Sequence, residues 1–155
     1  MNNPTPLKII FMGTPDFAVP TLKAIHESPH IIQAVVTVPD KQQGRGRRER
    51  PSAVKSVAQE YNLPILQPEK LTDPDFIESL KAYAPDVIVV VAFRILPEAV
   101  FTLPKYGSFN LHASLLPKYR GAAPIHWALL NGDRETGLTT FFLKRRVDTG
   151  NIIKQ

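Results

Sequence analysis

The segment Ser108–His112 carries an amide and an imidazole two residues apart on a predicted strand. Because side chains alternate between the two faces of a strand, Asn110 and His112 point to one face, and Phe109 and Leu111 point to the other. An amide NH2 can donate to a developing oxyanion, and an imidazole transfers protons near neutral pH. The pair therefore indicates chemistry on a carbonyl group, with a purely structural hydrogen-bonded pair as the alternative.

Two further segments could assist His112. Asp148 lies in a turn that ends at Gly150, and a carboxylate beside an imidazole favours the charged imidazolium. An Asp before Gly is also a common turn former, and the sequence alone leaves open whether Asp148 reaches His112. Residues 114–124 form a stretch rich in proline and glycine directly after the strand. This stretch is either a ligand-binding loop or a well-packed connection.

The positive charge of the chain is concentrated in one segment. The net charge is +5, and residues 41–50 hold five basic residues against one acid, so most of the excess lies there. The five basic residues are Lys41, Arg45, Arg47, Arg48 and Arg50. Each can contact a phosphate, and the segment has no aromatic residue to stack on a base. The segment therefore predicts contact with a nucleic-acid backbone, and a solvated charge run is the alternative.

The composition excludes several classes of protein. The chain has 155 residues, 43% of them hydrophobic and none of them cysteine, which suits one globular domain without disulfides, a thiolate zinc site or a cysteine nucleophile. The sequence shows no constellation of metal ligands. No apolar run reaches the roughly 18 residues of a membrane span, and residues 1–6 lack the pattern of a signal peptide. We expect a soluble, cytoplasmic protein with neither a membrane partner nor an obligate protein partner.

Strand and helix patterns alternate along the chain. Strands are predicted at residues 7–12, 31–38, 64–66, 86–92, 108–112 and 136–143. Helices are predicted at residues 16–26, 52–61, 74–84, 96–103 and 123–130, and residues 41–51 are predicted to be a loop. The alternation predicts an α/β domain with a largely parallel sheet, whose ligands bind beyond the carboxyl ends of the strands. A further apolar segment starts at Ile152, so we expect the chain to stop within a strand of a longer protein.

Several motifs resemble those of the folate-dependent formyltransferases. They are Asn-Leu-His at 110–112, Ser-Leu-Leu-Pro at 114–117, Arg-Gly-Ala-Ala-Pro-Ile at 120–125 and Asp-Thr-Gly at 148–150. The segments at residues 11–18 and 39–55 sharpen the resemblance to those members that formylate methionyl-tRNA. The resemblance implies a Rossmann-like, doubly wound sheet with flanking helices. It also implies transfer of a formyl group from 10-formyltetrahydrofolate to the α-amine of methionyl initiator tRNA.

The resemblance also implies roles for individual residues. His112 would assist proton transfer, Asn110 would hold the formyl oxygen, and Asp148 would orient His112 and balance its charge. Folate contacts are implied for Ser114, Leu115, Leu116 and Pro117, and for Phe93, Arg94 and Ile95, which resemble the edge that holds the pterin. Contacts with tRNA are implied for Lys41, Arg45, Arg47 and Arg48, with Arg45 the most important.

Three features depart from the family pattern. Residues 92–97 are one residue shorter than the commoner form, and residues 144–146 are basic where many relatives are acidic or neutral. Family members are also about twice as long and carry a C-terminal β-barrel that contacts tRNA. We therefore expect residues 1–155 to be an N-terminal catalytic domain, incomplete at its C-terminal end and poorly active alone. The alternatives are a formyltransferase acting on an amino sugar or a purine precursor, and a non-catalytic module that binds folate or RNA.

Overall fold

The computed structural model of the protein describes residues 5–43 and 48–155. In these two ranges the strands are β1 (Lys8–Gly13), β2 (Ile31–Val36), β3 (Lys41–Gln43), β4 (Arg48–Arg50), β5 (Ile65–Leu66), β6 (Val87–Val91), β7 (Ser108–His112), β8 (Thr139–Phe142) and β9 (Ile152–Lys154). The helices are α1 (Val19–His26), α2 (Ala53–Glu60), α3 (Pro74–Tyr83), α4 (Glu98–Phe101) and α5 (Pro124–Leu130), and a 3-10 turn (Asp16–Ala18) precedes α1. No helix within the described ranges has the length and apolar character needed to cross a membrane.

The main sheet has seven strands in the order β5-β2-β1-β6-β7-β8-β9. The first five run parallel, whereas β8 is antiparallel to β7 and β9 is antiparallel to β8. The largely parallel sheet is thus confirmed. The strand order reverses between β1 and β6, where a crevice forms beyond the carboxyl ends of the strands. This crevice is where the alternating pattern predicted a ligand.

Helices cover both faces of the sheet, so the doubly wound arrangement is confirmed as well. On one face, Phe11 and Val89 pack with Leu22 of α1 and with α2. On the other face, Ile88 packs with Leu80 of α3 and with α4. Alternate residues of each strand serve the two faces. All five residues of β6 are buried because the strand is covered on both sides.

Two of the helices begin where the sequence predicts, because a side chain caps the first turn of each. The hydroxyl of Ser52 accepts a hydrogen bond from the backbone N–H of Lys55 at 3.0 Å and caps α2. Asp73 caps α3 by accepting a hydrogen bond from the backbone N–H of Asp75 at 2.9 Å, and Pro74 lies in the first turn of the helix. By contrast, the helix predicted at 96–103 extends only over Glu98–Phe101.

The prediction of a loop at residues 41–51 is wrong. β3 and β4 pair antiparallel outside the main sheet, with Lys41 opposite Arg50 and Gln43 opposite Arg48. All six residues of the two strands are polar, and the side chains described there, those of Lys41, Glu49 and Arg50, are exposed, so the ribbon lacks the alternation of apolar and polar residues that marks a strand with one buried face. For this reason periodicity could not detect it.

Candidate active site

A cavity of about 520 Å³ lies at the carboxyl ends of β1, β6 and β7. Its size falls in the range of sites that hold small organic ligands. Its walls include apolar residues from several elements, among them Phe17, Leu96, Phe101, Ile125 and Val147. The polar residues predicted from the sequence, Asn110, His112 and Asp148, also line it. The structure therefore brings these three residues to one site.

His112 is the last residue of β7, and only 7% of it is exposed. Its Nε2 lies 2.7 Å from the backbone carbonyl oxygen of Tyr119. A carbonyl oxygen can only accept a hydrogen bond, so Nε2 carries the proton and donates it. In the neutral imidazole the lone pair is then on Nδ1. Nδ1 is therefore the nitrogen that can accept a proton from a substrate.

Asp148 faces this nitrogen without hydrogen bonding to it. The carboxylate Oδ2 lies 3.9 Å from Nδ1 of His112 and accepts a hydrogen bond of 2.7 Å from the backbone N–H of Gly121. Arg120 donates from Nε to the carbonyl oxygen of Asp148 at 3.0 Å. The residue is 9% exposed, so its charge acts on His112 with little screening by water. The open question of whether Asp148 reaches His112 is thus answered by geometry: the two groups are neighbours.

The turn after Asp148 can be formed only with glycine at residue 150. A Cβ atom placed on Gly150 would lie 1.5 Å from the carbonyl oxygen of Phe142 in β8. The backbone of the turn therefore passes against β8 more closely than any side chain allows. This close approach fixes the position of Asp148 relative to the sheet.

Asn110 lines the cavity from the same strand as His112. Its Oδ1 atom is buried and has no hydrogen-bond partner within residues 5–43 and 48–155. A buried polar atom without a partner is costly unless a ligand or water satisfies it. The amide of Asn110 thus retains hydrogen-bonding capacity for a molecule in the cavity.

Phe93, Arg94 and Ile95 also line the cavity, on the segment that follows β6. The guanidinium of Arg94 donates to the backbone carbonyl oxygens of Pro68 and Glu69, both at 2.8 Å, and its centre lies 5.1 Å from the centre of the Phe93 ring. Burial lowers the pKa of Arg94 from its ordinary value. Arg94 therefore anchors this wall of the cavity to the segment before α3.

The residues Ser114, Leu115, Leu116 and Pro117 lie outside the cavity lining. The buried hydroxyl of Ser114 donates to the carbonyl oxygen of Lys118 at 2.6 Å. The N–H of Leu116 donates to Oγ1 of Thr139 in β8 at 3.1 Å. These contacts hold the loop that carries Tyr119 and Gly121. A direct folate contact by the four residues stays a prediction.

The basic ribbon of β3 and β4 is fastened at its base. The ammonium of Lys55 lies 2.5 Å from Oδ2 of Asp40, and Gln67 donates to Oδ1 of the same carboxylate at 2.9 Å. The hydrogen bond from Lys55, assisted by Gln67, holds the pKa of Asp40 below its usual range. Lys41 is exposed and does not line the cavity, and the backbone of Arg48 begins β4. Arg45 and Arg47 lie outside the described residues.

The site also includes residues that sequence reasoning did not assign. Tyr119 and Gly121 hold His112 and Asp148 through backbone atoms, which leave no side-chain signature in a sequence. His126, Lys144 and Arg145 line the cavity as well, and Arg145 pairs with Glu98 at 2.7 Å. Within the described part of the chain, no group of three or more His, Cys, Asp or Glu residues could hold a metal ion.

Comparison with known proteins defines the class to which this fold and site belong. The model of the formyl transferase family matches residues 7–155. The chain therefore belongs to the formyl transferase family. It is also similar to solved structures of a phosphoribosylglycinamide formyltransferase from Streptococcus pneumoniae TIGR4, with a TM-score of 0.78, 20% identity and coverage of 96% of this chain and 80% of the other. The structure of a formyltetrahydrofolate deformylase from Pseudomonas syringae is similar with a TM-score of 0.72 and 21% identity. The match covers 97% of this chain and 50% of the other. At these identities the likeness shows a common fold.

Among curated proteins, the chain is 57% identical over 150 residues to a methionyl-tRNA formyltransferase from Pelotomaculum thermopropionicum, covering 96% of this chain and 48% of the relative. It is 58% identical over 150 residues to a protein of the same name from Parabacteroides distasonis, covering 96% and 46%. The chain spans about half the length of the curated relatives it matches.

Proposed function

We propose that the chain is the catalytic domain of an enzyme that transfers a formyl group from 10-formyltetrahydrofolate to the α-amine of methionyl initiator tRNA, the activity of a methionyl-tRNA formyltransferase. One observation carries the proposal: Asn110, His112 and Asp148 converge on one cavity at the point where the strand order reverses. The names of relatives more than half identical to this chain support the acceptor. Such an enzyme acts in the cytoplasm.

The cavity fits the formyl donor. It is large enough for a bicyclic ring, its walls are mostly apolar, and polar groups stand at few positions, as in sites for aromatic cofactors. The backbone edge formed by Phe93, Arg94 and Ile95 is proposed to hold the pterin. The unpartnered Oδ1 of Asn110 can accept a hydrogen bond from the donor, and the amide N–H of the same side chain is the group proposed to face the formyl oxygen.

We propose a task for each polar group. When bound, the donor supplies the formyl carbon that the amine nitrogen of methionine attacks. Asn110 donates its amide N–H to the oxyanion that forms on the formyl oxygen. His112 accepts the proton lost by the amine on Nδ1, and the charge of Asp148 stabilises the resulting imidazolium. The bond from the formyl carbon to the folate nitrogen then breaks, and the proton passes from His112 to that nitrogen, which leaves formylated amine and tetrahydrofolate.

The basic ribbon is proposed to contact the phosphates of the tRNA. Lys41, Arg45, Arg47 and Arg48 are the cations proposed to make these contacts, and the ion pair of Asp40 with Lys55 fixes the base of the ribbon to α2. The ribbon provides charge without aromatic stacking, which favours contact with backbone over reading of bases. A formyltransferase acting on an amino sugar has no need of this surface. The family's purine-precursor enzymes usually have proline where this chain has Ala113.

The test is a comparison of acceptors in a formyl-transfer assay. The chain is incubated with 10-formyltetrahydrofolate and, separately, methionyl initiator tRNA, an amino-sugar nucleotide and glycinamide ribonucleotide. We expect formylated methionyl-tRNA as the main product, and a loss of about 10²- to 10⁴-fold in rate for His112→Ala without loss of donor binding. Faster turnover of another acceptor, or an unchanged rate in His112→Ala, would contradict the proposal. Binding of donor and tRNA with no turnover, also when the chain is joined to the C-terminal half of one of its curated relatives, would identify a non-catalytic module instead.

A further inference from the structure

We propose that Tyr119 is a positioning residue that fixes the tautomer and orientation of the His112 ring, and that Asp133 acts on His112 through Tyr119. The tautomer of the His112 ring can be measured without substrate. Only its consequence for catalysis rests on the proposed function.

Tyr119 contacts the imidazole of His112 through its backbone. The carbonyl oxygen of Tyr119 lies 2.7 Å from Nε2 of His112, which makes it the hydrogen-bond acceptor of the ring. The neighbouring backbone is held on both sides. The carbonyl oxygen of Lys118 accepts from Ser114, and the N–H of Gly121 donates to Asp148. The carbonyl of Tyr119 thus has little freedom to follow the ring if the ring rotates.

Tyr119 has an unusual backbone conformation. Its φ angle is +54°, in the left-handed region that a residue with a bulky side chain rarely adopts. Such a conformation persists only when surrounding contacts compensate its cost. In this conformation the carbonyl oxygen reaches His112, so whatever holds Tyr119 in the left-handed region also holds the ring.

A hydrogen bond to Asp133 anchors the side chain of Tyr119. Its hydroxyl donates to Oδ2 of Asp133 at 2.8 Å. The backbone N–H of Asp133 donates in turn to the carbonyl oxygen of Ala128 at 3.0 Å, at the end of α5. A continuous series of contacts therefore connects the end of α5 to His112 through Asp133 and Tyr119. Neither Tyr119 nor Asp133 lines the cavity, so neither contacts a ligand there.

The contact with Tyr119 determines which of the two ring nitrogens of His112 carries the proton. With Nε2 bonded to the Tyr119 carbonyl, Nδ1 faces Asp148 and is available as a base. Weakening the anchor lets the other tautomer, with the proton on Nδ1, gain population. That tautomer places a donor where the reaction needs an acceptor.

The experiment measures the ring nitrogens of His112 by ¹⁵N NMR in this chain at a pH where the ring is neutral. We expect one tautomer, protonated on Nε2, in the unsubstituted chain. Tyr119→Phe and Asp133→Ala each remove the anchor and should shift the tautomer ratio by about five-fold, the effect of losing one ordinary hydrogen bond. Asp133→Asn keeps an acceptor oxygen for the Tyr119 hydroxyl and should restore the original ratio. Tyr106→Phe is the matched control, because Tyr106 is exposed and precedes β7 at the opposite end of the sheet.

Identical ring signals in Tyr119→Phe, Asp133→Ala and the unsubstituted chain would overturn the inference. So would an equal shift in Asp133→Asn and Asp133→Ala, since the acceptor oxygen would then be irrelevant. If a variant fails to fold, its amide spectrum shows this, and the other variant decides the question. Faster formyl transfer to another acceptor than to methionyl-tRNA would refute the proposed function and leave the tautomer result unaffected.

Discussion

Oδ2 of Asp148 lies 3.9 Å from Nδ1 of His112, and its hydrogen bond comes from the backbone of Gly121 instead. The two side chains are therefore coupled by charge across a short gap, without a direct hydrogen bond. In the proposed mechanism, this geometry leaves Nδ1 available to accept a proton, and the carboxylate stabilises the imidazolium that results. The hydrogen bond from Gly121 holds the loop and needs only an acceptor oxygen at residue 148. The effect on His112 needs the negative charge, so one substitution can remove the charge and keep the loop contact.

Asp148→Asn should remove the charge and keep the loop. An asparagine oxygen can still accept from Gly121, so the fold should persist and the melting temperature should change little. The loss of a charge at about 4 Å should lower the rate of formyl transfer by about 10²- to 10³-fold. The measurement is the single-turnover rate of the variant and of the unsubstituted chain. Asp86→Asn is the matched control, since Asp86 accepts from Lys8 at the amino end of the sheet; equal rates for the two variants would contradict the role of Asp148.

Arg45→Ala should weaken binding of tRNA and reduce its dependence on salt. Removing one phosphate contact lowers the slope of log K against log salt by about 0.9 for a duplex. The measurement is the affinity for methionyl initiator tRNA at several salt concentrations. Lys81→Ala removes an exposed cation from α3, on a different element, and should leave both values unchanged. An Arg45→Ala variant with the affinity and slope of the unsubstituted chain would exclude Arg45 from the RNA surface.

Gly150→Ala should destabilise the fold. The added Cβ would overlap the backbone of Phe142, so β8 or the turn must shift, at a cost of about 1–3 kcal/mol. Gly132→Ala is the comparison: in the described part of the chain, no atom other than those of Gly132 and its two chain neighbours lies within 4 Å of the added Cβ, but the φ of +70° imposes a backbone cost of about 1–2 kcal/mol. Thermal unfolding measures both. Formyl transfer should fall further in Gly150→Ala, because Asp148 moves with the turn, and equal activity in the two variants would contradict this.

The ion pair of Asp40 with Lys55 should stabilise the chain in a pH-dependent way. The pKa of Asp40 is held below its ordinary value of 3.8, mainly by the hydrogen bond from Lys55. A carboxylate with a lowered folded-state pKa contributes stability above its unfolded-state pKa, and this contribution disappears as the pH falls through the folded-state pKa. Asp40→Asn should therefore lose stability at pH 7 and approach the unsubstituted chain as the pH falls below about 4.

Urea unfolding at a series of pH values measures this difference. Glu78→Gln, which breaks an exposed ion pair with Lys81 on α3, is the control and should change stability little at any pH. A difference between Asp40→Asn and the unsubstituted chain that stays constant from pH 7 to pH 3 would show that the ion pair does not titrate as argued.

Local physical chemistry made part of the fold predictable. The run of valines in β6 indicates a strand covered on both faces, and Ser52 marks the start of α2, because burial patterns and helix caps depend on residues close in sequence. The alternation of a strand also places Asn110 and His112 on one face without any knowledge of the rest of the chain. The motifs around them predicted the formyl transferase family, which the family match confirms.

The sequence by itself thus determined the alternation of strands and helices in the main sheet, the family and the identity of the candidate catalytic groups, but not the ribbon of β3 and β4. Only the tertiary structure decided how those groups meet: that Asp148 lies beside His112, that the carbonyl oxygen of Tyr119 lies 2.7 Å from Nε2 of that ring, and that the basic segment begins and ends as a paired ribbon. The physical reason is that these relationships depend on backbone carbonyls and N–H groups brought together from distant segments. Every residue type except proline carries the same backbone groups, so their partners follow from the packing of the sheet and its loops.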